Sequence, residues 1–133
     1  MVEKLFITYS EYSHMLDRLV YLIKSSNFIK DVNYLFTYPR GGWPIITHLS
    51  HHLKIDVLEK EPDWSTIPYK TVLFVDDVID TGKTLDHFHI LFPTASLFYK
   101  PRSSFKPTVY VKEVPNNIWV TFPWELFDEM PNR

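Results

Sequence analysis

Residues 72–85 read VLFVDDVIDTGKTL, and this segment restricts the possible folds of the chain more than any other. Its first four residues form a continuous apolar run, which is typical of a strand buried on both faces of a parallel sheet. Two adjacent carboxylates, Asp76 and Asp77, end the run, and Asp80 opens a turn that leads into a short predicted helix, Lys83–Leu91. A buried strand that passes directly into a helix predicts an α/β fold.

The other predicted elements repeat this alternation of strands and helices. Helices are predicted over Ser10–Ser25, with Ser10 as N-cap, and over Pro44–Leu53, with Pro44 in the first turn. Besides Val72–Val75, the predicted strands are Asn33–Tyr38, Ile55–Leu58, Ala95–Tyr99 and Thr108–Val111. Such an order implies right-handed crossovers. We therefore expect one domain, residues 1–133, built on a parallel sheet of about five strands with flanking helices.

Glycine is unusually rare in this chain. Only three of 133 residues are glycine, whereas average usage would give about nine. Gly41 and Gly42 stand in one turn and Gly82 in another, and each turn follows a predicted strand and precedes a predicted helix. Glycine permits unusual backbone conformations and close approach of a ligand, and parallel sheets bind ligands beyond the carboxyl ends of their strands. Both turns are therefore predicted ligand sites.

Composition excludes several classes of function. The formal net charge is −2 and no Lys/Arg cluster reaches five residues, so we expect no nucleic-acid partner. The absence of cysteine excludes disulfides and thiol catalysis and fits a reducing compartment. The N-terminus has no apolar signal region, and no window approaches about 18 apolar residues. We expect a cytoplasmic protein with no membrane partner.

The turn after Asp80 has the properties of a phosphate-binding site. Gly82-Lys83-Thr84 ends like the loop of nucleoside triphosphatases, but the first glycine of that loop would stand at position 77, which is Asp77. A tight turn into a helix still offers backbone N–H groups and a positive dipole end to one phosphate. The simpler alternative is an ordinary turn that Asp80 caps.

The neighbouring acids suit other parts of the same ligand. Asp76 and Asp77 precede the turn, and carboxylates accept hydrogen bonds from sugar hydroxyls and bind Mg²⁺. A ligand with a phosphate, a diol and a metal-bound diphosphate would satisfy all these groups. In the simpler alternative, both acids are merely solvated.

The order of strand, two acids, two apolar residues and Asp-Thr-Gly-x-Thr resembles the motif with which type I phosphoribosyltransferases bind 5-phosphoribosyl 1-pyrophosphate (PRPP). The resemblance implies that Asp80 is the general base and that Asp76 and Asp77 hold Mg²⁺ through the ligand. The implied PRPP-binding residues are Asp76, Asp77, Asp80, Thr81, Gly82, Lys83 and Thr84. PRGGWP, residues 39–44, resembles the pyrophosphate loop of the family, which implies that Arg40, Gly41 and Gly42 bind the leaving group.

The C-terminal part is similar to the purine enzymes of the family, and closest to those for xanthine and guanine. Tyr99-Lys100-Pro101 and residues 117–125, NIWVTFPWE, carry this similarity. It implies a small C-terminal hood in which Trp119 stacks on the base, the Val120 backbone reads its edge and Lys100 donates to a 6-oxo group. A core tryptophan is the alternative for Trp119. The resemblance spans about residues 33–125, and we expect a homodimer.

Two positions depart from the family pattern. Relatives carry a long mobile loop where this chain has only Glu59–Lys70, and Thr121 stands where the nearest relatives have an acid or amide. The resemblance implies Mg²⁺-dependent transfer of the phosphoribosyl group from PRPP to guanine, xanthine or hypoxanthine. One alternative, which the short connection favours, is a non-catalytic regulator that binds PRPP or a nucleotide; another is a transferase for a different base.

Overall fold

The computed structural model describes residues 3–85 and 91–125 and contains two parallel sheets and two α-helices. The helices are α1 (Tyr9–Lys24) and α2 (Trp43–Leu53). The strands are β1 (Glu3–Phe6), β2 (Tyr34–Phe36), β3 (Asp56–Val57), β4 (Val72–Ile79), β5 (Thr94–Tyr99), β6 (Val109–Glu113) and β7 (Ile118–Thr121). Short 3-10 turns cover Phe28–Asp31, Tyr69–Thr71, Lys83–Leu85 and Pro123–Glu125.

The larger sheet has five parallel strands in the order β3-β2-β4-β5-β6, which confirms the predicted fold class. The chain runs from β2 outward to β3 and then returns to β4 on the other side of β2. The direction of winding therefore reverses between β2 and β4. Because ligands of open parallel sheets bind at such a reversal, the loops after β2 and β4 stand where one site is expected.

Each face of this sheet packs against its own apolar cluster. On one face, α1 contacts β5 and β6, and α2 contacts β2, β3 and β4, with Leu19 and Ile45 fully buried. Full burial of one such side chain contributes about 1.5–3 kcal/mol. The other face carries a largely aromatic cluster that includes Phe36, Phe74 and Phe92. The helices thus hold one face of the sheet rigidly, and the aromatic face borders the site.

Helix α1 begins earlier than its sequence pattern predicts. Its N-cap is Thr8 and not Ser10, which lies inside the first turn. The Thr8 hydroxyl accepts from the Glu11 backbone N–H at 3.0 Å, and the Glu11 carboxylate accepts from the Thr8 N–H at 3.0 Å. This reciprocal capping box satisfies two helix-end donors, whereas Ser10 offers no such pair. These hydrogen bonds also lower the pKa of Glu11.

Strand β4 continues through the two acids to Ile79, four residues beyond the predicted apolar run Val72–Val75. Val75 and Val78 pack in the helix-side cluster, whereas Phe74 and Ile79 pack in the aromatic one. Residues an odd number of positions apart point to opposite faces of a regular strand. The alternation is therefore interrupted between Val75 and Val78, at the position of the acids.

The second sheet joins the two ends of the described chain. β1 pairs in parallel with β7, with Lys4 opposite Trp119 and Leu5 opposite Val120. Neither strand was predicted, because β1 is short and mostly exposed and its partner lies more than a hundred residues away. Of the predicted helix Lys83–Leu91, the described part contains only the 3-10 turn Lys83–Leu85, and residues 86–90 lie outside the described ranges. Among the described helices, none is long and apolar enough to cross a membrane.

Candidate active site

A cavity of about 350 Å³ opens at the carboxyl ends of β2 and β4. A volume of this size is typical of small-molecule sites. Its walls are residues 38–41, 74, 76–85, 105 and 125. The structure therefore brings together all seven predicted PRPP-binding residues and two of the three predicted pyrophosphate-binding residues.

The glycine turn after β2 forms one wall of the cavity. Arg40 and Gly41 line it, and the peptide bond between Pro39 and Arg40 is cis. A side-chain carbon at Gly41 would lie 2.8 Å from a carboxylate oxygen of Asp77, so the glycine permits the loop after β2 to approach β4 closely. Gly42 is the N-cap residue of α2, buried and outside the cavity wall.

Asp76 and Asp77 both line the cavity, although a regular strand would point them in opposite directions. Asp76 is half-buried and accepts from the Asp77 N–H at 2.8 Å, while Asp77 is 2% exposed and accepts from the Val78 N–H at 2.7 Å. Within residues 3–85 and 91–125, no three His, Cys, Asp or Glu side chains are grouped to hold a metal ion. Two carboxylates suit Mg²⁺ only if a ligand supplies further oxygens, which is consistent with the predicted Mg²⁺ bound through PRPP.

The turn after β4 is shaped by Gly82 and covered by the loop that follows β5. Gly82 has φ +80°, and a side-chain carbon there would lie 2.6 Å from Ser104 Oγ and 2.7 Å from Ser103 Oγ. The Ser104 N–H donates to the Thr81 carbonyl at 2.9 Å. Lys83 and Thr84 are exposed on the cavity wall. The turn thus has the compact shape that a phosphate-binding loop requires.

We expect Gly82→Ala to weaken PRPP binding about tenfold, because the left-handed backbone costs an alanine about 1–2 kcal/mol and the new methyl group meets both serines. Calorimetric titration with PRPP measures the change. The matched control is Ser104→Ala, which alters the same contact without straining the turn. Equal affinity in Gly82→Ala and the parent protein would show that the shape of this turn does not govern phosphate binding.

Asp80 lies at the start of the turn and is paired with two cations. Lys100 Nζ is 3.4 Å from Oδ2, and Arg102 approaches Oδ1 with Nε at 2.6 Å and Nη2 at 2.5 Å. No role was predicted for Arg102. Arg102 and Asp80 are 22 positions apart, so the sequence contained only one indication of their ion pair, a basic residue two positions after Lys100.

None of the three predicted base-binding residues is among the cavity walls in the described part of the chain. Lys100 is buried beside Asp80, Trp119 is half-buried in β7, and Val120 belongs to the helix-side core. From the same C-terminal segment, Glu125 does line the cavity. Its carboxylate accepts from the Phe122 N–H at 3.0 Å, which closes the last described turn.

The connection Glu59–Lys70 is packed against the aromatic face. The Trp64 ring stacks on Tyr69 at 4.6 Å and on Phe92 at 5.5 Å between centroids. The Tyr38 hydroxyl, beside the cavity, donates to Glu61 at 2.9 Å. Burial, together with this hydrogen bond, raises the pKa of Tyr38 to about 12. The connection therefore packs on the aromatic cluster next to Tyr38, which lines the cavity.

The sequence of this chain was compared with protein families and with individual known proteins. No protein-family profile matches the chain. A xanthine-guanine phosphoribosyltransferase of Cereibacter sphaeroides is 36% identical over 58 residues, which are 41% of this chain and 35% of that protein. The match thus spans about a third of the length of that curated relative.

Solved structures match over almost the entire chain. A purine phosphoribosyltransferase from Pyrococcus horikoshii has a TM-score of 0.73 and 26% identity, covering 99% of this chain and 100% of that one. The xanthine-guanine-hypoxanthine phosphoribosyltransferase of Helicobacter pylori has a TM-score of 0.73 and 25% identity, with 95% of each chain covered.

A third structure shares the fold at lower identity. It is a hypothetical protein from Neisseria gonorrhoeae with bound ppGpp, with a TM-score of 0.71 and 18% identity. The match covers 96% of this chain and 92% of that one. At this identity the similarity supports the fold alone.

Proposed function

This chain belongs to the type I phosphoribosyltransferase family, and from that premise we propose that it transfers the 5-phosphoribosyl group of PRPP to a 6-oxopurine, releasing pyrophosphate. One observation carries the proposal. A single cavity is lined by the turn after β4, by both acids of β4 and by Arg40 of the loop after β2. These are the groups that a phosphorylated sugar diphosphate requires.

The phosphate and the ribose bind along β4 in this proposal. The turn 80–84 holds the 5-phosphate with backbone N–H groups and with the hydroxyls of Thr81 and Thr84. Asp76 and Asp77 accept hydrogen bonds from the ribose hydroxyls and hold Mg²⁺ through the ligand. When bound, Mg²⁺ supplies positive charge that neutralises the diphosphate.

The leaving pyrophosphate faces the loop after β2. Arg40 neutralises its charge, and the backbone at Gly41, which lines the cavity, permits its close approach. In the transfer step, the bond between C1 of the ribose and the diphosphate oxygen breaks, and its electron pair leaves on pyrophosphate. A ring nitrogen of the purine forms the new bond to C1, and its proton moves to Asp80. The chain contributes by holding the reactants in line and stabilising the departing charge.

The acceptor base lies towards Asp80 and the C-terminal segment. We assign Lys100 to the 6-oxo group, Trp119 to stacking and the Val120 backbone to the base edge. The position of Lys100 beside Asp80 supports this arrangement.

A second candidate function is binding of PRPP or a nucleotide without turnover. Two observations favour it: the connection Glu59–Lys70 is packed by Trp64, and both oxygens of Asp80 already have cationic partners. A short connection packed in this way gives less opportunity to exclude water from the reacting sugar than a long closing loop gives.

Pyrophosphate release from PRPP and Mg²⁺, with each of several bases, tests the proposed function. We expect hypoxanthine, guanine or xanthine to exceed adenine by at least about tenfold in kcat/KM, because a 6-amino group cannot accept the hydrogen bond that Lys100 donates to a 6-oxo group. Direct competition between hypoxanthine and adenine in one mixture is the most sensitive version of this test of base preference.

The outcomes separate the candidates. A preference for adenine or a pyrimidine would contradict the assignment of Lys100 and Trp119. Tight PRPP or nucleotide binding without pyrophosphate release for any base would favour the non-catalytic alternative. The parent protein and Glu3→Gln, an exposed change in β1, should give the same result in every arm.

A further inference from the structure

The two cations that hold Asp80 differ in geometry and in accessibility. Arg102 directs two donors to one oxygen, Oδ1, at 2.6 and 2.5 Å, whereas Lys100 makes one 3.4 Å contact with Oδ2. The Lys100 side chain is 3% exposed and the Arg102 side chain 46% exposed. Asp80 is therefore fixed mainly by the cation at the surface.

The hydrogen-bond capacity of the carboxylate follows from this asymmetry. Each carboxylate oxygen has about two lone-pair directions. Two short charge-assisted hydrogen bonds occupy those of Asp80 Oδ1. Oδ2, with a single long contact, keeps the capacity to accept a proton.

The loop that carries Arg102 is itself anchored on both sides. The Arg102 backbone N–H donates to Asn116 Oδ1 at 2.9 Å, and two residues further on the Ser104 N–H donates to the Thr81 carbonyl at 2.9 Å. The backbone that carries the guanidinium is therefore hydrogen-bonded to the turn after β4. An exposed arginine on a loop without such hydrogen bonds would have more conformations available to it.

We propose that Arg102 is the positioning residue of this site: it fixes Asp80 by Oδ1 and so presents Oδ2 to the acceptor base. This inference rests on the proposed function. The proton of the acceptor ring nitrogen moves to Oδ2, and its electron pair remains on the nitrogen to form the bond to C1. Arg102 acts through Asp80 and not on PRPP.

A double-mutant cycle on Arg102→Gln and Asp80→Asn tests this role. We expect Arg102→Gln to lower kcat about tenfold or more, since small misplacements of a reacting group carry costs of this order, and to leave the Kd for PRPP within about twofold. In the Asp80→Asn background, the same change should have less than about a twofold effect. Arg102→Lys should recover only part of the loss, because an ammonium cannot form the forked pair.

Lys106→Gln is the matched control, since it removes one positive charge nearby from a side chain that faces Tyr110. Asn116→Ala, which releases the anchor but keeps the guanidinium, should shift kcat in the same direction by a smaller factor. Additive effects of Arg102→Gln and Asp80→Asn, or equal effects of Arg102→Gln and Lys106→Gln, would overturn the proposal.

The test also distinguishes failure of this inference from failure of the proposed function. If the parent protein forms no nucleotide with any base, the proposed function fails, and the same cycle is measured on the affinity for GMP. Weaker GMP binding in Arg102→Gln that disappears in the Asp80→Asn background would then support positioning through Asp80. Additive losses of GMP affinity would reject it.

Discussion

Asp80→Asn should lower the rate of nucleotide formation by about 10²-fold or more, the range expected for loss of a general base, while the Kd for PRPP changes by less than about threefold. Asparagine keeps the shape of Asp80 and its carbonyl still accepts from Arg102, but it cannot take up the proton of the base. Steady-state kinetics with the preferred 6-oxopurine, together with calorimetric PRPP titration, separates chemistry from binding.

The ion pair requires a control for stability. Removing the Asp80 charge leaves the ammonium of Lys100 in a buried place without that partner, and loss of one member of a buried pair is strongly destabilising. The double variant Asp80→Asn/Lys100→Met removes both charges together. If Asp80→Asn is folded and turns over at the parent rate, Asp80 is not the base.

Chelation of Mg²⁺ should weaken PRPP binding at least about 10²-fold. Without a cation between them, the diphosphate meets the carboxylates of Asp76 and Asp77, which both line the cavity. Two like charges about 4 Å apart repel by about 4 kcal/mol at an effective dielectric constant of about 20, which corresponds to about 10³-fold in affinity. Some rearrangement of the diphosphate reduces the effect. Calorimetry in excess Mg²⁺ and in excess chelator measures the difference.

Asp77→Asn refines the same prediction, because it removes one negative charge and one Mg²⁺ ligand at once. We expect it to weaken binding in Mg²⁺ about tenfold and to reduce the dependence on Mg²⁺. Glu3→Gln, an exposed acid in β1, is the control for net charge and should change neither value. Identical PRPP affinity with Mg²⁺ and with chelator would exclude a role of the metal in binding.

Much of the fold was predictable because its signals are local. The apolar run of β4, the 3.6-residue spacing of buried residues in α1 and the proline in the first turn of α2 each act over a few neighbouring residues. These patterns predicted the five-strand parallel sheet, which is confirmed. Element ends were less predictable, since Thr8 and Ser10 are both acceptable N-caps by residue type and only the position of Glu11 decides between them.

The location of the site in the fold was predictable, whereas several of its side-chain contacts were not. The glycine turns and the acids of β4 surround one cavity, as their places after two strands suggested. Two contacts were not predicted: the hydrogen bond from the Phe122 N–H to the Glu125 carboxylate and the ion pair between Arg102 and Asp80. The sequence also showed no sign that the connection Glu59–Lys70 packs by stacking Trp64 against Phe92. The contacts of Arg102 and Trp64 join residues that are distant in the chain, whereas Phe122 and Glu125 are three positions apart in a segment without a clear periodic pattern.

Local sequence patterns specify which chemical groups stand at the carboxyl ends of β2 and β4, because a strand, a turn and a helix depend on residues close to one another. The orientation of those groups depends on contacts between distant parts of the chain. The interruption of alternation at Asp76 and Asp77 arises within β4 itself, and the contact of Arg102 with Oδ1 of Asp80 arises where the loop after β5 folds back on the turn after β4. Such contacts are set by the packing of the entire sheet, and no short stretch of sequence contains them.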